Sequence, residues 1–194
     1  MKISVLKTIV LITAFSFFSS CNKDDDQTTN FPKENFLEGY LTSSGFFQSS
    51  LATINDQTYE MGLEFSSLLN GKITDLKVKI PASNNELKIT IWDTESATAL
   101  QTEIVNYTLP NTEQIFDIVD LNIVKNKKYA ITFNTNDFYY HQKFDESSTS
   151  YPIIVKNIKI EKYLLSFGSS QQYPETFITT VYTGDLSFNF QPNE

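Results

Sequence analysis

Asn70-Gly71-Lys72-Ile73-Thr74-Asp75-Leu76-Lys77-Val78-Lys79-Ile80 is the stretch on which the fold turns. Leu76, Val78 and Ile80 alternate with Asp75, Lys77 and Lys79, the period-two pattern of a strand with one apolar and one polar face. Asn70-Gly71 suits the two positive-φ positions of a type I′ turn, so the sequence predicts a hairpin joining 63–69 to 72–80. A one-residue slip would turn every apolar side chain outward, so the register is strongly specified.

The same alternation recurs outward from this segment. Leu87, Ile89 and Ile91 show it, then Tyr129, Ile131 and Phe133, Ile158 and Ile160, and Leu186, Phe188 and Phe190. Turn chemistry falls between these runs, with Ser83-Asn84-Asn85 behind Pro81 and Gly184-Asp185 ahead of the last strand. No helical periodicity reaches ten residues. Residues 36–47, interrupted by Gly39 and Gly45, read as an edge strand or an irregular lead-in. Sixteen Phe and ten Tyr suit pleated, half-buried surfaces. Together these features predict an all-β protein, an antiparallel β-sandwich or jelly roll forming a single domain over residues 36–194.

The N-terminus is of another kind. Lys2 and Lys7 precede an apolar run from Thr8 to Phe18, then Ser19, Ser20 and Cys21. This is the tripartite plan of a secretory signal, and the run is too short to span a bilayer. Small residues ahead of the sole cysteine point to lipoprotein processing after residue 20. Cys21 is then the acylated membrane anchor, and residues 21–35, polar and containing Pro32, form a flexible tether. Asn22-Lys23-Asp24-Asp25-Asp26 resembles the surface-export signal of Bacteroidetes lipoproteins, which implies display on the outer face of the outer membrane. The alternative is a plain solvated tether. A calcium ion on Asp24, Asp25 and Asp26 is a weaker reading, because consecutive carboxylates cannot all face one ion.

Charge narrows the partners. The formal net charge is −8 and grows more negative once Lys2 and Lys7 leave with the leader. All fifteen basic residues are Lys, so the guanidinium forks that clamp phosphate are missing. Such a surface repels nucleic acid, and no nucleic-acid partner is expected.

Catalytic constellations are scarce. His141 is the only histidine, which excludes multi-histidine zinc sites, and no phosphate-binding glycine loop is present. His141 reads as a surface or capping residue in preference to a member of a triad. Glu60, Glu64, Asp93 and Glu95 are acids without a spacing that selects a hydrolytic pair. The expectation is a non-enzyme with no catalytic residues, no metal site and no cofactor.

Aromatic placement is more informative. If Leu87, Ile89 and Ile91 face the core, Trp92 points to the opposite, polar face and is exposed or half-exposed. Asn136-Asp137-Phe138-Tyr139-Tyr140-His141 then sets three aromatics beside hydrogen-bonding groups. Trp92, Asp137, Phe138, Tyr139 and Tyr140 are therefore candidate ligand-binding residues, because flat rings with polar neighbours suit sugars. The competing reading covers Trp92 with a loop and packs residues 138–140 into a small second core.

Tyr59-Glu60-Met61-Gly62-Leu63-Glu64-Phe65, Asn70-Gly71-Lys72-Ile73-Thr74-Asp75-Leu76, Ile89-Thr90-Ile91-Trp92-Asp93 and Lys127-Lys128-Tyr129-Ala130-Ile131-Thr132-Phe133 together carry a resemblance. In that order, over about residues 56–140, they resemble an uncharacterised bacterial β-sandwich domain of cell-surface and secreted proteins. The small-residue loop after Trp-Asp is replaced here by Thr94-Glu95-Ser96-Ala97. The resemblance implies a binding or accessory role beside carbohydrate-active or adhesive modules and carries over no catalytic residue. The expected function is a lipid-anchored, surface-displayed glycan-binding module. The alternatives are an interaction subunit of an envelope complex and, behind it, a hydrolase.

Overall fold

Alternating side chains build fourteen strands and one short helix among the described residues, 31–53 and 57–193 of this computed structural model. In chain order these are β1 (Glu34–Asn35), α1 (Leu37–Ser44), β2 (Phe47–Thr53), β3 (Tyr59–Ser67), β4 (Gly71–Lys79), β5 (Asn84–Asp93), β6 (Thr98–Tyr107), β7 (Gln114–Ile123), β8 (Lys128–Thr135), β9 (Asp137–Gln142), β10 (Ile153–Val155), β11 (Ile158–Phe167), β12 (Thr176–Ile178), β13 (Val181–Thr183) and β14 (Asp185–Pro192). The leader, Cys21, Asp24–Asp26 and most of the tether lie outside the described residues.

The pairings are antiparallel and form three sheets. One runs β1-β14-β4-β7, a second β10-β11-β3-β8-β5-β6 with β12 also on β11, and a third β13-β9-β2. The two larger sheets form an all-β sandwich. Met61, Leu63 and Phe65 of β3, with Ile131 and Phe133 of β8, meet Ile73, Leu76 and Val78 of β4 and Phe188 and Phe190 of β14 in one buried core. Phe65 and Phe188 touch across it with ring centroids 4.6 Å apart. Burying such rings, worth roughly 1.5–3 kcal/mol each, is the main force holding the sheets face to face.

Irregularities keep the right residues inward. Strand β4 shifts register against β7 between Ile73 and Asp75, which lets Ile73 and Leu76, three apart, both face the core. Strand β11 shifts against β3 between Ile160 and Lys162, so the inward set passes from Ile158 and Ile160 to Tyr163.

The Asn70-Gly71 hairpin is not formed. Strand β3 lies in the larger sheet and β4 in the four-stranded one, so residues 68–70 carry the chain from sheet to sheet. Neither Asn70 nor Gly71 has positive φ. Gly71 serves close packing instead, since a Cβ there would overlap the Phe190 ring. A hairpin does form between β5 and β6, around Thr94-Glu95-Ser96-Ala97. There Asp93 Oδ1 accepts from the backbone N–H groups of Glu95 and Ser96 at 3.0 and 3.2 Å.

Residues 37–44 are a helix, where the sequence suggested a strand or lead-in. Gly39 lies against Val155, and a Cβ there would overlap that side chain, so glycine lets the helix sit tight on β10. Gly45 ends the helix at φ 77°, its N–H bonded to the Leu41 and Thr42 carbonyls. The folded part begins ahead of residue 36: Glu34 and Asn35 pair with β14, and Lys33 forms a 2.8 Å ion pair with Asp75.

Candidate functional site

At the end of the sandwich where β3 starts and β11 ends, four rings converge. Tyr59, Phe138, Tyr140 and Phe167 line a cavity of about 330 Å³, completed by Leu165, Val181 and Thr183. The small third sheet makes this possible: β9 turns away from β8 at Asn136 and pairs with β13 and β2. Alternation along β9 then sends Phe138 and Tyr140 to the cavity side. Phe138 meets the Tyr59 ring edge-on at 5.7 Å, and Phe167 tilts onto Tyr59 at 4.9 Å. Phe138 is buried, whereas Phe167 is 68 % exposed and forms an open lip.

A polar cleft of about 420 Å³ continues from Phe167 over Gln57, Thr58, Gly168 and Ser169. Among the described residues, no side chain lining either part carries a charge. Thr183 on the floor is already engaged, bonded to the Tyr163 hydroxyl and 3.0 Å from Met61 Sδ. Burial pushes the Tyr163 phenol far above its ordinary range, so it stays a neutral hydroxyl. The groove thus offers aromatic faces within and amide, hydroxyl and backbone groups at its rim.

The sequence-selected residues are divided by the fold. Phe138 and Tyr140 reach the groove; Tyr139 and Asp137 do not. Tyr139 points the other way, its hydroxyl donating to Asn111 Oδ1 at 2.6 Å with the Lys79 ammonium 4.8 Å from the ring centre. Asp137 is buried, and its Oδ2 accepts from the Ala82 N–H.

Trp92 faces outward from the core as expected, but it is not exposed. It is 4 % accessible, packed with Ala130 and Leu164 under the Tyr173 ring, which meets it edge-on at 5.9 Å. The segment after β11 folds back over the outer face of the large sheet and makes a second, smaller core. The indole N–H finds a polar partner beside this cluster: Trp92 Nε1 donates to Thr132 Oγ1 at 2.7 Å, and the Thr132 hydroxyl donates to Glu60.

The other acids find structural settings. Glu64 is buried, paired with Lys162 at 2.9 Å and Lys128 at 3.5 Å, and accepts from the Tyr173 hydroxyl. That phenol is raised by burial and by Glu64. The bond to Lys127 and the turn N–H groups hold the Asp93 carboxyl down at about 2. Glu60 and Glu64 lie four residues apart on one strand, about 13 Å at the usual rise, beyond the span of a hydrolytic pair.

His141 is buried and not a surface residue. Its Nε2 lies 2.7 Å from Asp185 Oδ1, its ring is beside Tyr182, and its Nδ1 has no hydrogen-bond partner among the described residues. A nucleophilic triad needs a hydroxyl bonded to the free ring nitrogen, and here that bond is not made. Among the described residues no group of three or more His, Cys, Asp or Glu is placed to hold a metal ion.

Tyr59, Leu165, Phe167, Val181 and Thr183 escaped the sequence reading. Tyr59 and Phe167 are joined by register, since they face each other across β3 and β11. Only the pairing of two strands about a hundred residues apart in sequence brings them together.

The groove lies at one end of the strands, and the N-terminal segment enters at the other. Strand β14 starts beside the groove, after Thr183 and Gly184, and ends where Gln191 donates to the Phe31 carbonyl and Asn193 to that of Asn70. Its eight residues separate the two poles by about 25 Å. Compared with models of protein families the chain matches none, and no curated protein matches it in sequence.

Proposed function

We propose that this chain is a lipid-anchored, surface-displayed binding module without catalytic activity, and that a neutral glycan docks in the groove. The carrying observation is a cleft whose described lining is uncharged, with four aromatic rings and a rim of amide and hydroxyl groups, on a strongly acidic chain. Sugar CH faces stack on rings while hydroxyls exchange bonds with such a rim. An anionic ligand would find no cation there. Cys21 is the acylated anchor in this reading, the leader and the Lys23–Asp26 run address the chain to the outer surface, and the groove points away from the tether.

Phe167→Ala tests it. Phe167 is largely exposed, so its loss is expected to leave the melting temperature within about 2 °C while weakening retention on immobilised polysaccharide about tenfold or more. Unchanged retention in the variant, or none by the parent on any polysaccharide, defeats the glycan reading.

One feature favours a second reading, an interaction subunit of an envelope complex. The edge strands β6 and β7 expose Leu100, Ile104, Ile115 and Val119, the last at 80 %, and carry no lysine to blunt them. A stoichiometric envelope partner lost on Ile104→Lys with Val119→Lys, but not on Phe167→Ala, would favour that reading.

A further inference from the structure

The strongest unexplained group outside the groove is Glu60. It sits on β3, one residue along from Tyr59 of the groove wall, and is 1 % exposed. Two donors hold its carboxylate. The Thr132 hydroxyl bonds Oε1, and Asn134 Nδ2 bonds Oε2 at 3.0 Å. Asn134 Nδ2 also reaches the carbonyl of Gly168 at 3.2 Å, and Gly168 follows Phe167 on the lip of the groove. One amide group therefore links a buried carboxylate to the lip.

We propose that Glu60 is a positioning residue for the groove, its ionised carboxylate holding the Gly168 carbonyl through Asn134 and its protonated form giving up that bond, which leaves the lip on the Gly168 N–H bond to the Thr58 carbonyl at 2.9 Å. This rests on the groove being the ligand site. The reason is donor arithmetic. A carboxylate only accepts, so it satisfies both Thr132 and Asn134. A proton on Oε2 confronts an N–H, and the Asn134 amide must turn to present Oδ1, withdrawing its donor from Gly168. A proton on Oε1 makes the Thr132 hydroxyl an acceptor twice over, since Trp92 Nε1 already donates to it, and strands the hydroxyl's own hydrogen. Thr132 is fully buried whereas Asn134 is half-buried, so the Asn134 route leaves fewer polar atoms unsatisfied.

The surroundings make the proton available near neutrality. Burial pushes the Glu60 carboxyl up to about 7 against the pull of its two hydrogen bonds and of Lys88. Lys88 is the charge that β5 contributes. On β8 the charge is Lys128, and on β11, which faces Glu60 with Ser166, the charges are Lys159, Glu161 and Lys162. Lys128 and Lys162 are committed to Glu64, and Glu161 to Ser66 and Lys159. The covering segment adds Tyr173, bonded to Glu64, and Glu175, whose backbone N–H bonds Ser166.

The test is a pH titration of the ¹⁵N-labelled full chain, read at two resonances. The indole N–H of Trp92, the single tryptophan, reports on Thr132 and Glu60; the amide of Gly168 reports on the lip. Both are expected to move together with one midpoint near pH 7, and neither in Glu60→Gln. Asn134→Ala is expected to leave the Trp92 titration in place and abolish that of Gly168, which keeps the test alive should Glu60→Gln not fold. A Gly168 amide indifferent to pH while Trp92 titrates overturns the proposal, as does one that still titrates in Asn134→Ala. Affinity electrophoresis in soluble starch, xylan and mannan supplies the second arm, with retention expected about tenfold weaker at pH 5.5 than at pH 8.5. Retention equal at both values overturns the proposal whatever Gly168 does. No retention in any of the three, with Trp92 and Gly168 titrating together, supports the proton-controlled lip and defeats the glycan reading instead.

Discussion

Burial of the Glu60 carboxyl, working against its hydrogen bonds from Thr132 and Asn134, shifts the folded chain toward the protonated form. Its folded value, about 7, lies above the ordinary 4.5, so between those values the native state binds more protons than the unfolded chain. Stability from this group therefore falls as pH rises through that window and levels off above about 7, where the native carboxyl also ionises. Glu60→Gln removes the dependence. Urea melts from pH 4 to 9 are expected to show the parent losing stability relative to the variant by at most about 3 kcal/mol, mostly between pH 5 and 7. A difference flat with pH would mean that Glu60 is already ionised at pH 5 in the native state. Nothing local announces this behaviour: Tyr59-Glu60-Met61 reads as ordinary alternation, with the glutamate on a wet face. That face is dry because the segment holding Tyr173 returns more than a hundred residues later to cover it.

Elements were legible wherever one strand's own alternation decides its faces. Leu76 with Val78, Ile89 with Ile91, Ile131 with Phe133 and Phe188 with Phe190 are all buried as their periodicity requires. Connections were less legible. Asn70-Gly71 offers hairpin chemistry, yet strands β3 and β4 each have an apolar face to bury, and setting them in opposite sheets buries both at once. The helix was hidden for a different reason. Eight residues holding one glycine and bounded by another have weak intrinsic helicity, and Phe36 and Tyr40, both buried, supply the stability through tertiary packing. Gly39 is the test of that view. Gly39→Val places two methyl-bearing branches where Val155 already lies, and is expected to destabilise by about 1–3 kcal/mol despite valine's better helix propensity. Glu38→Val, one residue away on the exposed side, loses a first-turn acidic charge and some helix propensity and is expected to cost no more than about 1 kcal/mol. Equal effects by chemical denaturation would show that the helix does not press on β10.

At the scale of the molecule, the two poles of the sandwich are built differently. The pole holding Phe31, Asn70, Lys125 and Asn193 receives the N-terminal segment and is tied by backbone and amide bonds, including Lys125 N–H to Asn70 Oδ1 at 3.0 Å. The opposite pole holds the aromatic groove and its polar rim. A tether from residue 21 to Phe31 spans at most about 35 Å fully extended, which holds the first pole within that distance of any membrane to which Cys21 is joined, and the second pole lies about 25 Å from the first. Single cysteines give this arrangement a direct check, because acylation of Cys21 would leave no other thiol in the mature chain. Ser169→Cys marks the rim of the groove and Lys125→Cys the tether pole, both at exposed positions. On intact cells of the native host, a small membrane-impermeant maleimide is expected to label both. A maleimide carrying a large polyethylene glycol chain is expected to label position 169 at least threefold faster than position 125, because the bilayer crowds the nearer pole. Equal rates with the large reagent would place the groove no further from the membrane than the tether. No labelling at either position until the cells are lysed would turn the chain inward and remove surface display, while leaving the groove and its chemistry as they are.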